Sequence, residues 1–300
     1  MRLTENQKEL IREVSKKNIR SSRQAALKCL KEVDSLDDQW FVEMCSRLLK
    51  NESSMYDLPS EIQGLLTVED VSETFHEDRY YLSQREKKIF DQIIKMQGVT
   101  EKLALKDIRY INSTLMYGLP GTGKTMFGRY LAYKTNLPFA YLNFSNIVDS
   151  LLGSTAKNIS KAFKFAISTP CIFMLDEIDA ISTRRDISTS ASADKEMSRT
   201  TITLMQEFDH LPNETIVLAA TNRIDRIDEA LLRRFSNKYE MIVFNNQEKK
   251  EMITKYLQAI EMTISKQDMN NLINGKKSQA ETITELIQCI ADTLMMEQNC

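Results

Sequence analysis

Between residues 114 and 244 the chain alternates short apolar runs with helical stretches, and no other feature restricts its fold as tightly. The runs lie at 114–117, 139–144, 171–175, 215–220 and 239–244. They are nearly continuous in apolar residues, as strands covered on both faces are. The stretches 123–135 and 156–167 between them carry helical spacing. Alternation of this kind predicts an α/β fold in which helices cover a parallel sheet.

The flanks read differently. Leu3, Leu10, Ile11 and Val14 recur at helical spacing, as do Ala26, Leu27, Leu30 and Val33, and Phe41, Met44, Cys45, Leu48 and Leu49 form a third stripe. Ser21-Ser22 and Asp37-Asp38 are expected N-caps of the second and third helices. Residues 61–82 hold six acidic residues against one arginine and read as a linker with short ordered pieces. Ile89, Phe90, Ile93 and Ile94 mark a further helix, and helices are expected at 247–260, 266–273 and 279–296. The low-complexity stretch 187–194 reads as a loop.

Composition narrows the function. Forty Lys and Arg against 42 Asp and Glu argue against a strongly basic nucleic-acid binder. Five cysteines without a CxxC spacing, and only two histidines, argue against a zinc site or a disulfide framework. The longest apolar runs are far shorter than the ~20 residues of a spanning helix, and the start MRLTENQKEL lacks a signal-type apolar region. A cytoplasmic protein with reduced thiols, not bound to membrane, is the expectation.

Glycine is scarce, eight in all, yet four fall within 118–128. Gly118-Leu119-Pro120-Gly121-Thr122-Gly123-Lys124-Thr125 fits G-x-x-x-x-G-K-[ST] at every fixed position, after an expected strand and before an expected helix. Such a loop lets backbone N–H groups wrap a phosphate at a helix N-terminus. Lys124 would neutralise β/γ-phosphate charge, and Thr125 would offer its hydroxyl to Mg²⁺. Downstream, the run 171–175 ends in Asp176-Glu177. The first carboxylate suits Mg²⁺, and the second suits polarising an attacking water. The run ending at Ala220 is followed by Thr221-Asn222, where Asn222 could hold that water or touch the γ-phosphate. Arg233-Arg234 follow a short helical turn, and an arginine can serve as a finger supplied in trans. Two rival motifs fail. Asn222-Arg223-Ile224-Asp225 is close to a GTPase's guanine-reading box, but position 179 is Asp where a GTPase needs Gly. Asp176-Glu177-Ile178-Asp179 is close to a helicase box, but too little chain follows for a second helicase core.

Together these residues resemble the AAA family of ATPases over roughly 84–300. GLPGTGKT is similar to its Walker A loop, CIFMLDEIDAI to its Walker B strand, AATNRID to its sensor 1, and IDEALLRRF to its arginine-finger segment. The resemblance implies a P-loop core with a five-stranded parallel sheet in the order 5-1-4-3-2, a helical lid and a ring, usually a hexamer. It implies ATP and Mg²⁺ as ligands, with Thr125 and Asp176 at the metal. Gly118, Pro120, Gly121, Thr122, Gly123, Lys124, Thr125, Met126, Asp176 and Ala280 would bind nucleotide, and Glu177, Asn222, Arg233 and Arg234 would act in catalysis. The implied division is a helical N-terminal domain (1–58), an acidic linker (59–83), an α/β ATPase subdomain (84–244) and a helical lid (245–300).

Three features depart from the family pattern. Leu151 stands where protein-threading members carry an aromatic pore residue. Gln279 replaces Gly in the S-G-A segment near the adenine, within a short lid. The first 80 residues match no adaptor domain, and the chain as a whole also resembles compact bacterial or mobile-element members. The leading expectation is remodelling of a protein partner bound by the N-terminal domain. A nucleic-acid-linked switch and a slow-turnover ring scaffold stay open. Nine basic against five acidic residues in 1–36 keep nucleic acid among the partners considered.

Overall fold

The computed structural model describes residues 3–16, 19–33, 38–50, 65–72, 74–145, 155–181 and 191–298. Six strands form one sheet: β1 (Leu66–Glu69), β2 (Asn112–Tyr117), β3 (Phe139–Asn143), β4 (Ile172–Asp176), β5 (Ile216–Thr221) and β6 (Asn237–Glu240). Their order is β1-β3-β4-β5-β2-β6. All neighbours are parallel except β1, which runs antiparallel to β3 with Leu66 opposite Leu142. Counted from β2, the five parallel strands have the expected order 5-1-4-3-2.

The sixth strand was not expected. β1 lies in the acidic stretch read as linker, where charge hides a four-residue run. Leu66, Val71 and Phe75 from that stretch are buried in the core. The last strand also begins earlier than expected and ends at Glu240. As an edge strand it alternates half-buried and exposed residues, a weaker apolar signal than that of the central strands.

Eleven α-helices are described: α1 (Glu5–Ser15), α2 (Ile19–Lys31), α3 (Gln39–Lys50), α4 (Gln84–Ala104), α5 (Lys124–Thr135), α6 (Thr155–Ser168), α7 (Ala191–His210), α8 (Glu229–Leu232), α9 (Asn246–Ala259), α10 (Lys266–Asn274) and α11 (Gln279–Gln298). The sheet separates two apolar layers. Phe173 and Leu175 of β4 join Phe163 and Phe208 on one face, while Ile172 and Met174 join Phe127, Leu131 and Ile93 on the other. Both faces of one strand are thereby buried, as its unbroken apolar run requires. The helices after β6 have their own core of Ile253, Leu257, Leu272, Leu286 and Ile290.

At the N-terminus, Thr4 caps α1 in a reciprocal box with Gln7. Helix α2 starts at Ile19, so Ser21 and Ser22 lie inside it and do not cap it. Asn136 donates to Ser21 Oγ at 3.2 Å, tying α2 to the end of α5. No helix among the described residues is long and apolar enough to cross a membrane.

Candidate active site

The loop 118–123 leaves β2 and opens α5. Its backbone demands glycine at two positions in particular. Gly118 has φ +142°, and a Cβ there would lie 2.2 Å from the Met241 carbonyl oxygen. Gly121 has φ +74°, and its Cβ would meet Ser278 Oγ at 2.5 Å. Both approaches are closer than any real side chain tolerates, and both dihedrals lie where L-residues are disfavoured. The second contact also seats the lid. Ala280 N–H donates to Gly121 O at 3.0 Å. The Gln279 amide donates to Ile242 O at 2.9 Å and to Thr122 O at 3.4 Å. Gln279 therefore clamps α11 to the loop with a side chain that glycine would lack, and its Oε1 is buried without a partner.

Lys124 folds back over the loop. Its Nζ donates to the carbonyls of Gly118 and Leu119, both at 2.9 Å. Burial pushes its pKa below the ordinary lysine value, against the opposing pull of Asp176 and Asp179. Thr125 Oγ1 donates to Asp176 Oδ2 at 2.8 Å, and Asp176 Oδ1 accepts the Glu177 N–H at 2.9 Å. Glu177 has left-handed backbone, φ 55° and ψ 42°. Two residues on, Asp179 Oδ1 accepts from Thr221 Oγ1 at 2.6 Å, and Thr221 Oγ1 accepts from Arg223 N at 2.9 Å. That chain fixes the backbone on both sides of Asn222.

One cavity of about 750 Å³ gathers these groups. Pro120, Gly121, Thr122, Gly123, Lys124, Thr125, Met126, Asp176, Glu177, Asn222 and Ala280 all line it. Gly118 is set behind the loop against Met241. Arg233 and Arg234 lie outside the cavity wall, and they differ from each other. Arg233 is 80% exposed, with Glu229 3.9 Å away. Arg234 is tied down, donating to Ala230 O at 2.9 Å and to Asp209 at 3.3 Å. Leu151 lies outside the described residues.

Some of the wall was not read from the sequence. His76, Tyr80, Tyr81 and Glu86 also line it, as do Met252 and Tyr256 of α9 and Ile283 of α11. Lys255 Nζ donates to Tyr80 O at 2.7 Å, and Tyr81 OH donates to Glu251 at 2.7 Å. The segment before α4 is thus bound to the lid. It matches no short motif, and the Tyr80-Tyr81 pair after an acidic run is the only signal that could have marked it.

A hydroxyl and a carboxylate 2.8 Å apart form a hard-oxygen pair. That suits Mg²⁺, which takes few protein ligands and keeps water and phosphate for the rest. Among the described residues no cluster of three His, Cys, Asp or Glu suggests another metal.

Residues 114–242 match the family model "ATPase family associated with various cellular activities (AAA)". This stretch is an AAA-family ATPase domain. Its AAA module is similar to that of "26S proteasome regulatory subunit 6A" of Saccharomyces cerevisiae, 35% identical over 59% of this chain and 42% of that protein. "26S proteasome subunit RPT4" of the same yeast is 30% identical over 72% of this chain and 49% of its own length. "Proteasome-activating nucleotidase" of Methanoculleus marisnigri is 36% identical over 54% and 41%. The AAA chain described here thus spans less than half the length of these curated relatives.

Proposed function

We propose that this AAA ATPase hydrolyses ATP in an oligomeric ring, a hexamer in the simplest form, and uses the cycle to remodel a protein partner held by its N-terminal helices. One observation carries the reading: Lys124, Thr125, Asp176, Glu177 and Asn222 line one cavity, while Arg233 is exposed and does not line it. Similarity to proteasomal ATPases supports a protein as the substrate.

In this reading Lys124 exchanges its loop carbonyls for β- and γ-phosphate oxygens, which relieves the desolvation of its ammonium group. Thr125 and Asp176 would hold Mg²⁺, whose charge would offset that developing on the transferred phosphoryl group. Glu177 takes a proton from the attacking water as its oxygen bonds to the γ-phosphorus and the bond to the bridging oxygen breaks. ADP and phosphate are the products. Asn222 orients that water or contacts the γ-phosphate. Arg233 reaches the γ-phosphate of the adjoining protomer, a role its exposed guanidinium allows. Arg234, bound within its own chain, acts as its support.

The test combines sizing and turnover. ATP should drive assembly, Lys124→Ala should abolish nucleotide binding, and an unfolded protein should stimulate hydrolysis. A monomer with full, Arg233-independent turnover would refute the ring reading. Stimulation by DNA in place of protein would redirect it to a nucleic-acid-linked switch.

A further inference from the structure

The Asp176 carboxylate is held by more than its motif neighbours. Tyr141 OH donates to Asp176 Oδ2 at 3.2 Å. Asn143 Nδ2 donates to the same hydroxyl at 3.2 Å, and Asn143 Oδ1 accepts from Ser145 N at 2.8 Å. The direction of this chain is fixed by chemistry. The Ser145 N–H can only donate, so it sets which end of the Asn143 amide is the acceptor. The NH₂ end then donates to Tyr141 oxygen, and the single phenolic proton is left for the carboxylate. Both side chains stand on β3, and the parallel register places Asn143 beside Asp176. The sheet therefore places the relay beside the Asp176 carboxylate, with Ser145 just past the strand orienting the Asn143 amide. Thr125 also donates to Oδ2, but it belongs to the candidate metal set itself. Tyr141 is thus the side-chain donor on Asp176 that the metal does not claim.

We infer that Tyr141, oriented by Asn143, is a positioning residue for metal–nucleotide binding: it holds Asp176 in the rotamer that directs Oδ2 toward Thr125, the pair that would take the metal. The inference rests on the ATPase reading above. Nothing in the phosphate-loop motif assigns it, since β3 lies outside that motif.

The experiment uses the full chain, Tyr141→Phe and Asn143→Ala. Binding of a fluorescent ADP analogue is measured in EDTA and across a Mg²⁺ titration, and Mn²⁺ binding to the ADP complex is followed by electron paramagnetic resonance. Tyr141→Phe should weaken Mn²⁺ binding roughly 10- to 100-fold, as expected for losing one hydrogen bond to a charged group. Nucleotide affinity in EDTA should be unchanged, and Asn143→Ala should shift the same way by less. Unchanged Mn²⁺ affinity in Tyr141→Phe overturns the inference. An equal loss with and without metal also overturns it, because the hydroxyl would then serve the fold of the pocket. If wild type binds no nucleotide, the ATPase reading itself fails, which is a separate result.

Discussion

Glu177 is a non-glycine residue with φ 55°, held there from both sides. Its N–H donates to Asp176 Oδ1 at 2.9 Å, and its carbonyl accepts from Ala180 N at 2.9 Å. Left-handed backbone costs an L-residue about 1–2 kcal/mol, and it persists only where the surroundings over-determine it. Glu177→Gly and Glu177→Ala both remove the carboxylate, but only glycine removes the Cβ that makes this conformation costly. Glycine's extra freedom in the unfolded chain takes back about 0.5–1 kcal/mol. The glycine variant should therefore be more stable than the alanine variant by about 0.5–1 kcal/mol, or roughly 1–4 °C in melting temperature. Both should lose turnover by about 10²- to 10⁴-fold, the usual share of a general base. Thermal unfolding without nucleotide and a phosphate-release assay give the two readouts. If the glycine variant melts below the alanine variant, the strain argument is wrong. If either variant keeps near-normal turnover, Glu177 is not the base.

Arg233→Ala should abolish turnover of the assembled protein without changing its melting temperature, while Arg234→Ala should cost about 1 kcal/mol of stability through its lost hydrogen bonds; calorimetry and mixing with Glu177→Gln subunits would separate the two. Burial pushes the Glu86 carboxyl above the ordinary carboxylate value, against the downward pull of its hydrogen bonds with Ser83. The folded state therefore holds this proton more tightly than the unfolded state, so ionisation costs stability at neutral pH and the cost fades as pH falls through the raised value. Glu86→Gln should accordingly raise the melting temperature at pH 7 and lose that gain as acid approaches the usual carboxylate range. Gly121→Ala should weaken nucleotide binding roughly tenfold through about 1–2 kcal/mol of left-handed strain, and Ser278→Gly in the same chain should recover part of the loss by removing the side chain its Cβ would strike.

The phosphate loop and the Asp176-Glu177 pair were legible because each couples a local pattern to an obligatory backbone form. Bare glycines mark positive φ, and a buried apolar run ending in carboxylates marks the exit of a central strand. The five parallel strands were legible for the same reason. β1 was not, since Thr67 and Glu69 break its apolar character and its burial comes from a partner over 70 residues away. The aromatic end of the cavity escaped because Tyr80 and Tyr81 act through contacts with α9, which no local spacing encodes. The unequal states of Arg233 and Arg234 depend on Asp209, again a distant residue. Tyr141 was read only as part of an apolar run, although its hydroxyl lies at the Asp176 carboxylate.

Both outermost strands, β1 and β6, are only four residues long, and each carries a charged residue at its last position, Glu69 and Glu240. Borders so short and charged are poor templates for strand addition by another chain. In the proposed ring, copies of this protein would then meet away from these two sheet edges, leaving the main-chain ladders intact when they part.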